Sequence, residues 1–495
     1  MLLVLITLLG AALRFFRIGH QGFWYDESYT VLLSKLSLGR MLGLLPREES
    51  TPPVYYCVVW VWTRIFGFGQ AGVRSLSAVL GTAAIPLAYA TARKLLPGQR
   101  TALIVAALTA FNPMLIWYSQ EARSYETLLF VSELTLLAFA YARERPRPLA
   151  LTLWALSAAL ALGTHYYASL IVIPEAVVLV YEHRYKRSVY VALGFVGVVG
   201  AALLPLLVSQ SGTGNSNWIA NAPFLKRAAQ VLPFFLIGPE TPLRIVLKFI
   251  AFAVALAALG LLFWCSRRRE RQGALLPAGL LIGGCLISVL VIPITDTFLA
   301  RNLMALWLPL ALVLASGMGV LRARVFGATL AAALCAIGVI ATVGVATDYK
   351  LERPNWQRLA LALGAWPSPH ANGGSGRIIV IQANPELPPL NLYENLRLKY
   401  MKGNETGITQ VDIVAVRDMH TDGGFCWWGS MCNLVPSRSR KHYRLRGFHL
   451  VRRLRVEQFD VAVFTAQTPQ TVRLHALERT IVHHRGETDT LAIER

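Results

Sequence analysis

Long apolar runs constrain this chain more than any other feature. A run of about 20 such residues matches the hydrocarbon thickness of a bilayer, and a soluble domain rarely has room for many of them. Candidate spans fall at roughly 1–18, 75–93, 101–118, 126–142, 149–164, 167–182, 189–208, 243–264, 274–293, 302–321 and 325–347, about eleven in all. The chain is 55% hydrophobic and 15% charged, with a mean hydropathy of +0.48, which excludes a soluble globular protein. No small-residue cleavage site follows residues 1–18, so an uncleaved first helix is expected rather than a signal peptide. No Walker A motif is present.

The net charge of +21 raises nucleic acid as a partner, but the placement of the basic residues argues against it. Arg93/Lys94/Arg100, Arg143/Arg145/Arg147, Arg184/Lys186/Arg187, Arg267–Arg269/Arg271 and Arg322/Arg324 occupy every second connection between apolar runs. That is the distribution of cytoplasmic loops. One segment, Pro52 to Gly69, decides the topology. Read as a re-entrant or surface-lying helix, it leaves a long first external loop, 19–74, opposite the basic loops. The N-terminus is then cytoplasmic, and everything after the last span is extracytoplasmic.

This arrangement furnishes one face chemically. Outside lie Asp26 and Glu27 within Phe23-Trp24-Tyr25-Asp26-Glu27-Ser28-Tyr29, then Glu48, Glu49 and Arg74. They are joined by the stretch Tyr118-Ser119-Gln120-Glu121-Ala122-Arg123-Ser124-Tyr125, by His165-Tyr166-Tyr167, and by Asp296 through Arg301. Carboxylates beside a bilayer are expensive. Asp26 and Glu27 can supply a general base, ligate a metal, or cap a juxtamembrane helix. Arg74, Arg123 and Arg301 sit against the positive-inside bias; a guanidinium there either snorkels or binds phosphate bidentately. Glu121 and Arg123 share a turn that also suits a structural ion pair. His165 reads as a helix-end hydrogen bonder or a ligand-binding group. Tyr166 and Tyr167, like Trp24, Tyr25, Tyr55 and Tyr56, fit an aromatic belt or sugar stacking.

Residues 209–225, rich in Gly, Ser and Asn, form an external loop that is a candidate mobile substrate lid. From 348 the composition changes: 377–381 and 460–464 read as buried strands of a mixed α/β domain of residues 348–495, beyond a membrane module of residues 1–347. The basic stretch Arg438–Arg455 suits an anionic acceptor, lipid headgroups or a solvated face. Cys57, Cys265, Cys285 and Cys335 lie in or beside apolar runs, whereas Cys426 and Cys432 frame a polar-aromatic loop and are expected to pair as a disulfide rather than to form half of a metal site.

The motifs, taken in order, carry a resemblance. Asp26-Glu27 with Ser28-Tyr29, Pro52-Pro53-Val54-Tyr55-Tyr56 before Phe66-Gly67, the 118–125 stretch, Arg301 opening an apolar helix, and Arg353-Pro354-Asn355-Trp356-Gln357 together resemble the C-type (GT-C) membrane glycosyltransferases. Within these, the similarity is to the protein O-mannosyltransferase (family 39) and aminoarabinose-transferase-like group. The resemblance implies a polytopic α-helical membrane protein of the GT-C fold with an extracytoplasmic C-terminal α/β domain. It implies an enzyme of the cytoplasmic (inner) membrane that moves a sugar from a polyprenyl-phosphate carrier to a glycan, lipid or protein acceptor outside the cytoplasm. Asp26 would then be the acceptor-activating base, assisted by Glu27. Arg74, Arg123 and Arg301 would bind the carrier phosphate, with Glu121, Tyr125, His165 and Tyr166 lining the donor site.

One departure is visible. The family commonly places an acid or His before the Pro-Pro pair, sometimes as a metal ligand, and here that position is Thr51. No obligatory metal or other cofactor is therefore expected, with Glu48 or Glu49 the nearest substitutes. Two other classes compete. A flippase for lipid-linked sugars would concentrate ionisable groups within its spans, where Glu133 and Glu175 are the main ones. A non-catalytic scaffold would tolerate loss of Asp26.

Overall fold

The computed structural model describes residues 1–364, 366, 376–381, 387–394, 398–416, 445–481 and 490–494. The Cys426–Cys432 loop and residues 438–444 of the basic stretch lie outside them. The chain forms two compact units. One comprises Met1–Ile18 with Leu33–Gly344, and the other Gly19–Leu32 with Val345–Arg495.

The first unit is helical, and each of the expected apolar runs has become helix. The longest are Gln70–Leu95, Tyr125–Glu144, Arg187–Ser211, Arg268–Leu290 and Arg324–Thr347. By length and composition, 7 helices among the described residues suffice to cross a membrane, or up to 8 if a bent pair counts as one span. That pair, Gln99–Phe111 and Pro113–Ser119, meets at 52°. Pro113 supplies no N–H to Thr109, so the ladder must break there. Leu2–Phe15, Val54–Phe66 and Pro148–Thr164 are shorter apolar helices. At 13 residues, Val54–Phe66 is about 20 Å long, less than the hydrocarbon thickness. It begins at Pro53 and stops at Gly67, whose φ of 81° suits only a residue without Cβ.

Helix contacts depend on small residues, as expected where lipid offers no hydrophobic incentive for association. A Cβ on Gly338 would stand 1.6 Å from the Phe111 carbonyl oxygen, and one on Gly317 would stand 1.9 Å from that of Ala258. Either backbone contact is open only to glycine.

The second unit is built on a six-stranded sheet. Its strands are β1 (Gly376–Ile381), β2 (Lys399–Tyr400), β3 (Glu405–Val416), β4 (His449–Val456), β5 (Phe459–Val472) and β6 (Thr490–Glu494). The spatial order is β2-β6-β1-β3-β5-β4. Among the described residues only β1 and β3 run parallel; the other pairings are antiparallel. Both faces of β1 are covered. Ile379 and Ile381 pack with Trp356, Leu359 and Phe459, while Ile378 and Val380 pack with Ile413 and Phe464. Two-sided burial explains why Ile378–Ile381 of this strand reads as an unbroken apolar run. Arg377 is fully buried beside Glu494 and Asp412, and donates to the Leu363 carbonyl at 2.9 Å. Burial pushes the Asp412 carboxyl up to about 6.

Candidate active site

In the second unit the acidic pair occupies the first turn of helix Tyr25–Ser34, where negative charge complements the helix N-terminus. Glu27 is fully buried, and its Oε2 accepts from the Trp24 N–H at 3.4 Å. Ser28 Oγ donates to the Trp24 carbonyl at 2.9 Å. Glu27 thus makes the return contact of a capping box, which gives it a structural task. Asp26, one position earlier, is half-buried.

In the first unit the turn 118–125 is held on several sides. Asn112 Oδ1 accepts from Leu115 N–H at 3.0 Å and starts helix Pro113–Ser119; its Nδ2 donates to the Phe235 carbonyl at 2.8 Å. Gln120 Nε2 reaches the carbonyls of Leu13, Arg14 and Phe16, at 3.1, 3.1 and 2.9 Å, and caps the first helix. Ser77 Oγ donates to the Glu121 carbonyl at 2.7 Å. Arg74, Ser77 and Gly81 form one stripe on helix Gln70–Leu95 by their spacing. The buried Arg74 donates from Nη1 to the Ile18 carbonyl at 3.1 Å.

The rest of the turn meets three other segments. Arg123 binds Glu49 bidentately, Nη1 to Oε1 at 2.9 Å and Nη2 to Oε2 at 3.0 Å, and Nη1 also donates to the Tyr56 hydroxyl at 3.1 Å. Glu49 is therefore the carboxylate that neutralises Arg123. Tyr118 and Tyr125 meet edge to face with centroids 4.9 Å apart. The Arg301 guanidinium carbon lies 5.5 Å from the Tyr125 ring centre, and the His165 ring lies 5.9 Å from it. Burial, and then the charges of Arg123 and Arg301, push His165 down to about 3. The imidazole is thus neutral near pH 7. Its Nδ1 accepts from Tyr167 N–H at 3.2 Å, which leaves the proton on Nε2. Together these form an aromatic cluster with two guanidinium groups and one neutral donor, suited to anion recognition.

Arg301 stands on a 3₁₀ turn, Ala300–Leu306. The loop before it is fastened by an Arg227–Asp296 ion pair and by Arg227 Nη1 on the Phe298 carbonyl at 3.0 Å. Tyr167 Oη and Asn302 Nδ2 both donate to the Thr297 carbonyl, at 2.7 and 2.9 Å.

Tyr166 belongs elsewhere. Its hydroxyl donates to Gln210 Oε1 at 2.8 Å, and Gln210 Nε2 donates to the carbonyls of Leu45 and Thr51, at 3.1 and 3.0 Å. The start of the expected mobile loop 209–225 is consequently an anchor, with Gln210 buried. No sequence pattern marked Gln210, because an amide tying backbone carbonyls has no characteristic spacing.

A further group lies within the spans. The fully buried Arg14 donates to the carbonyls of Thr109 and Ala110, both at 2.9 Å, at the break before Pro113. A Cβ on Gly81 would come within 2.3 Å of Ser119 Oγ, 2.4 Å of Glu126 Oε1 and 2.9 Å of Arg14 Nε, so these three polar groups converge there. Arg14 and Glu126 were visible in the sequence only as charges in apolar runs. Among the described residues no three His, Cys, Asp or Glu side chains converge as a metal-binding group.

Comparison with known proteins agrees with this architecture. The family model described as dolichyl-phosphate-mannose-protein mannosyltransferase matches residues 50–209. No match was found among curated proteins. The crystal structure of ArnT from Cupriavidus metallidurans in the apo state aligns with a TM-score of 0.56 at 12% identity, covering 93% of this chain and 97% of that one. The same enzyme bound to undecaprenyl phosphate aligns with a TM-score of 0.53 at 12% identity, over the same shares. The chain has the ArnT-like GT-C fold, many apolar helices followed by a C-terminal sheet domain. Its resemblance to the membrane glycosyltransferases rests on that fold and on the family-model match.

Proposed function

We propose that this protein is a membrane glycosyltransferase that takes a sugar from a polyprenyl-phosphate-linked donor and passes it to an acceptor on the extracytoplasmic face of the cytoplasmic membrane. The observation that carries this reading is the convergence of Arg123, Arg301, Tyr125 and neutral His165 in the first unit of an ArnT-like fold. Two guanidinium groups against an aromatic wall suit a lipid phosphate and a sugar ring better than a solvated surface would require.

The chemistry is a single displacement. The acceptor oxygen or nitrogen attacks the anomeric carbon as the bond to the carrier phosphate breaks. Asp26 takes the acceptor's proton, and the departing phosphate leaves with the electron pair. Cationic groups stabilise the charge that develops on that phosphate. Arg301 and Arg74 take this role alongside Arg123, whose charge Glu49 already balances in part. The Nε2–H of His165 serves as a neutral donor to a phosphate or sugar oxygen. Glu27 supports the turn that presents Asp26. The donor arrives activated, so no nucleotide site is required.

No metal is assigned a step. Glu49, an acid near the Pro-Pro pair, has both oxygens on Arg123 and is not available as the replacement ligand. Transfer should survive chelation; restoration of lost activity by a divalent ion would overturn this part.

The central test is Asp26→Asn on purified protein with a synthetic polyprenyl-phosphate sugar. Transfer should fall by about 10³-fold or more while donor binding is retained, on the scale of removing a general base together with its positioning. Retained transfer would remove Asp26 as the base. Donor movement across vesicles without transfer would favour a flippase.

A further inference from the structure

We infer that the C-terminal domain is a positioning device for the acidic segment, acting through Tyr393 and Arg353. This rests on the proposed role of Asp26 but is observed independently of it. Residues Gly19–Leu32 belong to the same compact unit as Val345–Arg495, although more than three hundred positions separate them in the chain.

The contacts all fall on residues 20–24, the segment that leads into Asp26. The Phe23 N–H donates to Tyr393 Oη at 2.6 Å, and the two rings stack with centroids 6.5 Å apart. Phe23 and Trp24 are buried. Arg353 places its guanidinium carbon 5.7 Å from the Trp24 ring centre. His20 Nε2 lies 3.8 Å from Glu352 Oε1. At Gly22 a Cβ would stand 2.9 Å from Asn355 Oδ1 and 3.2 Å from the Gln357 nitrogen, so backbone passes against backbone.

The 352–357 segment is itself fixed to the sheet. Gln458, immediately before β5, donates from Nε2 to the Tyr349 and Arg353 carbonyls, at 2.5 and 3.3 Å. Asn355 Oδ1 accepts from Arg358 N–H at 3.2 Å and starts helix Trp356–Leu363, while Trp356 packs on Phe459 at 5.1 Å. The line of support runs from β5 through 353–357 to residues 22–24, and ends on the first turn that carries Asp26. A general base must be held to within a fraction of an ångström, and a surface loop does not do this unaided. The sheet supplies the rigid support.

The test uses the full-length protein in detergent with Tyr393→Phe, Arg353→Ala and Arg353→Lys. Hydrogen exchange is read by mass spectrometry on peptides covering 19–32. In parallel, kcat and donor KM are measured with a synthetic polyprenyl-phosphate sugar. Tyr393→Phe and Arg353→Ala should speed exchange at 23–28 and lower kcat about tenfold, with donor KM and melting temperature unchanged. Arg353→Lys, which keeps a cation over Trp24, should recover most of what Arg353→Ala loses. Unchanged exchange at 19–32 overturns the inference, as does a kcat loss matched by general unfolding. If the wild type transfers no sugar, the functional reading fails while the exchange result still decides the positioning.

Discussion

Arginines that look alike in the sequence differ once their neighbours are known. Arg123 has a buried carboxylate on both of its terminal nitrogens, whereas Arg301 lies over the Tyr125 ring. Removing one member of a buried ion pair strands the other charge, so Glu49→Ala should cost about 3 kcal/mol, with part recovered in Glu49→Ala/Arg123→Ala. Thermal unfolding of the wild type, Glu49→Ala, Arg123→Ala and the double variant checks this; an additive pair of losses would mean the contact contributes little. His165 makes a pH prediction. Its folded value of about 3 lies below the ordinary 6.5, so between these two values the unfolded chain binds the extra proton. Its contribution is therefore complete above about pH 6.5 and is lost as pH falls from there toward 3. Melting temperature should decline over that interval, and less steeply in His165→Gln. An equal slope in both would count against a neutral, buried imidazole.

Helix Val54–Phe66 carries the topological argument at the level of elements. Its Pro-Pro start was legible, and its short length agrees with an element that does not cross. Leu2–Phe15 is of similar length, however, so length alone does not assign a side. The side we propose rests on the loop charges, since Lys and Arg tend to be retained in the cytoplasm. A topology reporter fused near residue 70 should read extracytoplasmic; a cytoplasmic signal would reverse the face on which the external loop lies. The sequence reads 101–118 as a single span, which the structure builds as the bent pair Gln99–Phe111 and Pro113–Ser119. Pro113 breaks it, and Arg14, from a separate helix, takes the carbonyls at the break. Such a partner arrives from about a hundred residues away, and no local pattern announces it. By contrast, the strands at 377–381 and 460–464 were legible because two-sided burial leaves a continuous apolar run.

For the whole molecule, the sequence by itself determined the class. Apolar runs of bilayer length, basic residues in alternate loops and the ordered motifs led to a polytopic GT-C fold with a C-terminal α/β domain. These signals are local or additive, since hydropathy and loop charge act on each segment nearly independently. Only the tertiary structure decided the partners. It assigned Glu49 to Arg123, brought Tyr125, His165 and Arg301 together, turned Glu27 into a cap, and gathered residues 19–32 into the unit of the C-terminal sheet. Each of these depends on which surfaces pack after the chain has crossed large sequence distances. Hydrogen bonds and ion pairs are short-ranged and directional, so a residue's type fixes what it can bind, and packing fixes what it does bind.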